Sequence, residues 1–367
     1  MIDQRREAAI AWALMAPALI VLGVFGIFPI GYAFVVSLHQ WRIKCEALIG
    51  FKHYARALGD PLSLTIFVVG IAGVGTSMAL RRRRGHAAAV GMLGLVTCVV
   101  GLVGMIQSGD PRLFNAFKVT LFYAVGTIPS EVGGALLLAY LLFRIMTARG
   151  LLRVLYFLPY ITPMIATAVV FRTIFSPNPG SIANSVWTYL GFEQQRWLYE
   201  SQSVAGLLLR GLGVSVHPEW IDALFPSLAL TCVIFYNIWV YIGYDTVILL
   251  AGLSAIPRQY FESAAIDGAS GWQVFRHVAL PLLSPSLFFI SLVAVIGTFK
   301  AFNHIYIMRT AGAQDSVDVV SVLIFDQIYQ YHNAGYASAL ALVLFLAILG
   351  LTVLQNRLLG RRVFYGD

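Results

Sequence analysis

From Ala8 to Leu38 the chain carries no charged side chain, and runs of this kind return along its whole length. About 20 apolar residues make a helix long enough to cross a bilayer. A succession of such runs constrains the fold more than any motif does, because a soluble core has no room for them. Eight are found, near residues 9–38, 61–80, 87–106, 117–143, 154–175, 223–250, 282–308 and 335–356. In lipid every backbone N–H and C=O needs a partner, and an open sheet edge leaves them without one, so the runs are expected to be helices. The predicted class is an all-α polytopic membrane protein with about eight transmembrane helices. Composition agrees: 59% of the 367 residues are hydrophobic and 11% are charged, a balance outside that of soluble domains.

Arg5 and Arg6 precede the first run, as in a signal peptide, but the run is too long for a signal's apolar core and is read as an uncleaved span. The stretch 204–216 is apolar but short and contains Arg210, so it is expected to lie at the membrane interface. Eight spans put both termini on one side. That side receives fourteen Arg and Lys, and eleven lie toward the other in longer segments. Arg81–Arg84 occupy a short loop between two clean spans and act as a topology anchor. The termini are therefore placed in the cytoplasm.

Several chemistries are excluded. The only lysines are Lys44, Lys52, Lys118 and Lys300, none after a glycine, so no phosphate-cradling Gly-Lys loop exists. No HExxH or GxSxG pattern occurs. Cys45, Cys98 and Cys232 are widely spaced and imply neither a disulfide framework nor a metal site. The formal net charge of +8 comes with no nucleic-acid-binding pattern. Ionisable residues well inside the spans are few: Glu131, Asp245 and Lys300, with His304 beyond. An intramembrane charge is functional by default. Asp245 is read either as a solute contact or as a structural partner of Lys300, and Glu131 as satisfying polar groups freed near Pro129.

One polar island stands out, "ESAAIDGASGWQVFRHVALP", Glu262 to Pro281. Trp272, Phe275 and Val278/Ala279 recur at helical spacing. Asp267-Gly268 signals a turn, and Asp267 or Ser270 is placed to cap the helical piece after it. Two short helical pieces are predicted, bent at Gly268, outside the membrane and stopped at Pro281.

This island resembles the EAA motif of permease subunits of binding-protein-dependent ABC importers: Glu-Ala-Ala, three residues, Gly, nine residues, Ile, one residue, Leu-Pro. Glu262, Ala264, Gly268, Leu280 and Pro281 match, with Ser263 for the first alanine and Val278 for the isoleucine. Segments 153–184 and 248–265, and the first span with Pro17 and Pro29, are similar to the maltose-permease-like carbohydrate branch. The resemblance covers about two-thirds of the chain and leaves out the hairpin near 61–106 and the segment near 200–222. It implies the type I importer permease fold in a bacterial cytoplasmic membrane. The expected layout is a first helix with an extracytoplasmic segment (1–60), an added hairpin (61–110) and a permease core (111–367).

The resemblance further implies that Glu262, Ser263, Ala264, Ala265, Asp267, Gly268, Leu280 and Pro281 belong to a cytoplasmic coupling helix seated on a separate ATPase. The expected partners are a second permease subunit, an ATPase dimer, an extracytoplasmic solute-binding protein and the lipid bilayer, and no nucleic acid. ATP and Mg are expected on the ATPase, with no cofactor on this chain, which is not itself an enzyme. A sugar or related polar solute is expected, moved by alternating access. Its path is assigned to Asn237, Tyr241, Tyr244 and Asp245, which share one helix face, and to Phe299, Phe302 and Asn303, expected on another. The alternatives are an importer of glycerol phosphate or another small polar solute, an ion-driven carrier, or a membrane-embedded scaffold.

Overall fold

The computed structural model describes residues 4–42, 44–79, 84–144, 149–211, 213, 219–360 and 363–364. The chain opens with α1 (Gln4–Leu22) and α2 (Phe28–Ser37), joined by a widened π turn at Gly23–Ile27. A small antiparallel pair comes next, β1 (His39–Trp41) and β2 (Cys45–Leu48), then α3 (Lys52–Leu58), α4 (Pro61–Ala79), α5 (Arg84–Ser108) and α6 (Pro111–Arg144). After these stand α7 (Arg149–Ile161), α8 (Met164–Ile174), α9 (Ile182–Tyr189), α10 (Val204–Gly211), α11 (Glu219–Leu224) and α12 (Leu228–Ala255). The remainder is α13 (Arg258–Ile266), α14 (Gly271–Val274), α15 (Leu280–Leu282), α16 (Ser284–Phe299), α17 (Asn303–Met308), α18 (Gln314–Val317), α19 (Val320–Tyr329) and α20 (Ala334–Leu359).

Among the described residues five helices are long and apolar enough to cross a membrane, and eight when each of three bent pairs counts as one span. These coincide with the eight expected runs. Three differences have physical causes. The fifth run is not one helix: α7 and α8 meet at 99°, because Pro163 offers no N–H to continue the ladder. The seventh stops at Phe299 rather than near 308, and the chain resumes as α17. Pro281 does not stop its helix, which runs on through Leu282 before a 68° bend.

Pro281 is tolerated because Phe275–Ala279 form a second π turn. A proline ring collides with the carbonyl four residues earlier. For Pro281 that residue is His277, and for Pro29 it is Phe25; each lies inside a π turn. The wider turn moves the carbonyl aside and needs no N–H from the proline. Residues 80–83, most of the Arg81–Arg84 run, fall outside the described residues. The short α10 occupies the start of the predicted interfacial stretch.

The chain divides into two compact units, Met1–Phe114 with Leu323–Leu346, and Asn115–Val322 with Ala347–Asp367. In the first, α4 and α5 pack as a tight hairpin. A Cβ at Gly70 would meet the Cys98 backbone, one at Gly101 the Phe67 backbone, and one at Gly94 would come 2.7 Å from the Val74 nitrogen. One end of the hairpin is tied to α3, where the Asp110 N–H donates to the Ala57 carbonyl at 3.2 Å. Beside it the buried Tyr336 hydroxyl donates to the Asp110 carboxylate at 2.6 Å, and the Arg56 guanidinium lies 4.4 Å from the Tyr336 ring centre.

The second unit is built around α12, which buries more than half of its most apolar stretch, whereas Ile10–Ser37 buries almost none of its own. Two cores flank the helix. Toward its N-terminal half, Leu230, Val233 and Tyr236 pack with Tyr123 of α6, Phe171 of α8 and Ile305 and Met308 of α17. Toward its C-terminal half, Leu249, Leu250 and Leu253 pack with Ala135, Ala139 and Leu142 of α6 and with Ala279, Leu283 and Ile290. Gly243 lets the backbone of α7 cross: a Cβ there would overlap the Tyr156 carbonyl. The middle of α12, between the two cores, is where the packing opens.

Candidate functional site

That opening is a cavity of about 330 Å³ within the second unit. Residues 237, 241, 244 and 245 fall at i, i+4, i+7 and i+8, one face of a 3.6-residue helix, and Asn237, Tyr241, Tyr244 and Asp245 all line it. Opposite, α16 ends at Phe299 and the backbone is irregular through Lys300–Phe302. Such backbone is tolerated in a membrane protein where it is buried in protein or faces a cavity. Here it faces the cavity: Lys300, Phe302, Asn303 and His304 line the space, and the Ala301 carbonyl accepts the Ser321 hydroxyl.

The break corrects one expectation. Phe299, Phe302 and Asn303 do not share a helical face, because the helix is interrupted between them. Phe299 is buried at the end of α16, outside the lining, whereas Phe302 and Asn303 reach it.

The wall has apolar and polar parts. Tyr160 stacks on Tyr244 with centroids 4.4 Å apart and meets Tyr241 edge-on at 5.8 Å. The Asn237 amide donates to Glu131 Oε2 at 3.0 Å. Glu131, Asn237, Asp245 and His304 are each no more than 5% exposed. Two of their atoms have no protein partner, Asp245 Oδ2 and His304 Nδ1. The other His304 nitrogen is held by the Tyr123 hydroxyl at 2.7 Å, which fixes the ring. A buried polar atom without a partner costs about 1–3 kcal/mol, and both of these atoms belong to residues on the cavity lining.

Two further expectations change. Asp245 forms no ion pair with Lys300; no such contact exists among the described residues, and Lys300 is exposed at the rim. Glu131 does not serve groups freed by Pro129 but reaches across to α12. Sequence reasoning missed Tyr160 and His304. The close crossing of α7 on α12 at Gly243 brings the first to the cavity, and no periodicity encodes that. The second was visible as an ionisable residue beside a span.

The polar island is the other candidate. Gly268 has φ +72°, a conformation that favours glycine. Its N–H donates to the Ala265 carbonyl at 3.1 Å, and the Ala269 N–H to the Ala264 carbonyl at 3.0 Å, which closes α13 as a Schellman motif. Ser270, not Asp267, caps α14: its hydroxyl accepts the Gln273 N–H while the Gln273 side chain accepts the Ser270 N–H, a capping box. Both helix ends are thereby satisfied and the turn is stiff. Glu262, Ser263, Ala265, Asp267 and Pro281 are exposed, and Ala264 and Leu280 half-buried. Ile266 is 86% and Trp272 65% exposed, large apolar groups standing out on a polar knob.

Comparison with known proteins places the chain. The family model described as "Binding-protein-dependent transport system inner membrane component" matches residues 131–365. The arabinooligosaccharide transport system permease AraP of Bacillus subtilis (strain 168) is 27% identical over 263 residues, 71% of this chain and 76% of that protein. The sn-glycerol-3-phosphate transport system permease UgpA of Agrobacterium fabrum is 27% identical over 275 residues, 74% and 85% of the two chains. The crystal structure of a bacterial alginate ABC transporter, in complex with its alginate pentasaccharide-bound periplasmic protein, contains a chain that superposes with a TM-score of 0.66. It is 18% identical and is covered to 98%, with 99% of this chain.

Proposed function

The chain belongs to the family of binding-protein-dependent transport system inner membrane components, and from that premise we propose that its central cavity passes an uncharged, hydroxyl-rich solute of the sugar class. The family makes it a multi-pass permease subunit of an ABC importer that works with a solute-binding protein. The observation that carries the solute reading is the pairing of stacked rings, Tyr160 on Tyr244, with the polar side chains of Asn237, Asp245 and Asn303 on one cavity lining. Sugars offer apolar faces to rings and hydroxyls to such polar atoms.

A second reading, a phosphorylated polyol, is favoured by Lys300 on the lining. Against it stand two buried carboxyl groups, Glu131 and Asp245, on the same cavity. Neither group offers the positive charge that pairs best with a phosphate, and among the described residues Lys300 is the one Lys or Arg on the lining.

In this reading the knob of α13 and α14 is cytoplasmic and docks on an ATPase dimer, which holds the ATP and Mg. Glu262 to Gly268 form its docking side, with Ile266 as the apolar anchor, and Leu280 and Pro281 its root. A second permease subunit completes the path. Closure of the ATPases moves the knobs, and the permease pair rocks about the cavity, a rigid-body transition of packed helices.

The test is purification from the native membrane, and then transport in proteoliposomes. Recovery of an ATPase, a second permease and a binding protein is expected, with ATP-driven uptake of an uncharged oligosaccharide. Preferential uptake of glycerol 3-phosphate would establish the second reading. Uptake driven by an ion gradient and indifferent to ATP would overturn both.

A further inference from the structure

We propose that the last turn of α6 is a third mechanical link between the knob and the cavity, with Tyr140 as its positioning residue. The knob is bonded covalently to α12 on one side and to α16 on the other. Helix α6 has no such bond, yet it grips both halves of the knob. Tyr140, Phe143 and Arg144 fall at i, i+3 and i+4 and so share one face. The Tyr140 hydroxyl donates to the Gly271 carbonyl at 3.0 Å, and its ring lies 4.7 Å from that of Phe275. Phe143 meets Phe261 of α13 at 5.5 Å. A Cβ on Gly271 would stand 3.0 Å from Arg144 Nη1, so the guanidinium at the end of α6 reaches the start of α14.

The same helix carries Glu131 on the cavity wall. Nine residues separate Glu131 from Tyr140, about 14 Å along a helix at 1.5 Å per residue. Between them α6 is backed by the core of Ala135 and Ala139 against Leu249, Leu253 and Leu283. A packed helix of this length moves as a rod, and the kink-prone Pro129 lies beyond Glu131. Motion of the knob therefore reaches Glu131, and through its bond to Asn237 the middle of α12. A hydroxyl-to-carbonyl bond beside a ring contact fixes the angle between α6 and the knob, where ring contact alone permits sliding.

This link rests on the knob being the ATPase docking element, and the experiment separates the two. In the purified complex with its partners, ATP hydrolysis is measured alone and with the binding protein as isolated from the same cells. Tyr140→Phe removes only the hydroxyl, Tyr140→Ala also the ring, and Phe143→Ala the grip on α13. Basal hydrolysis within about twofold of the parent is expected for Tyr140→Phe and Phe143→Ala, with the KM for ATP unchanged. Stimulation by the binding protein is expected to fall three- to tenfold in Tyr140→Phe, and further in Tyr140→Ala. Full stimulation in both Tyr140→Phe and Phe143→Ala overturns the link. So does a loss matched by loss of ATPase from the complex on size-exclusion chromatography, which marks a merely structural role. Ile266→Asp reads the docking surface itself: it is expected to release the ATPase. If it does not, the docking assignment fails, whatever Tyr140→Phe shows.

Discussion

At the residue scale, the expected outcomes turn on a few side chains of the cavity and the knob. Gly268, at φ +72° with open space around its missing Cβ, is constrained by its backbone rather than by its neighbours. A β-branched residue there costs about 1–2 kcal/mol, charged against the Schellman closure of α13. Gly268→Val is expected to insert normally but to lower solute uptake per ATP hydrolysed, and Gly268→Asn to be milder because asparagine tolerates this region. Equal uptake ratios for parent, Val and Asn variants would show that the turn is not under conformational demand.

On the cavity side, Tyr244→Ala removes a ring from the stack with Tyr160, and Asn303→Ala a polar group from the wall. Each is expected to lower transport at least fivefold with basal hydrolysis and assembly intact. Survival of full uptake in both would detach the solute path from this cavity. Glu131 adds a stability effect. Glu131→Ala strands the buried Asn237 amide, a loss of about 1–3 kcal/mol; Glu131→Gln keeps an acceptor. Thermal unfolding in detergent should show a clear drop for alanine and a small one for glutamine.

At the element scale, prolines and glycines explain the departures from straight helices. Pro29 and Pro281 are absorbed by π turns, whereas Pro163 turns the chain by 99°. The difference is where the freed backbone groups find partners. The Thr162 hydroxyl donates to the Pro159 carbonyl at 2.7 Å, which helps close α7 before the bend. The α4–α5 hairpin uses glycine differently, for contact. Gly101→Val would drive a side chain into the Phe67 backbone, and overpacking of this kind costs about 1–3 kcal/mol. The expected result is a lower unfolding temperature with solute preference unchanged. Deletion of 62–110 should likewise weaken assembly more than it alters solute choice; a changed preference in an intact complex would contradict this.

At the scale of the whole molecule, much was legible in the residues alone. Apolar runs marked the eight candidate spans, since hydropathy over about 20 residues is a local property. The island at Glu262–Pro281 was legible because its glycine and its caps act within a few residues of each other. What the sequence could not carry was which helix faces meet. Helix α12 is apolar nearly all round, so no stripe marks the side that packs on a neighbour. The pairing of Glu131 with Asn237, 106 positions apart, and the grip of Tyr140 on Gly271, 131 positions apart, result from how α6 crosses α12 and the knob. Tyr160 belongs to the cavity because α7 crosses α12 closely at Gly243. Lys300 and Asp245, partners by charge, line the same cavity without forming an ion pair. The sequence by itself determined the class, the spans and the knob, through forces that act between near neighbours along the chain. The cavity and its link to the knob were decided by tertiary packing, through contacts that exist only once the helices have crossed.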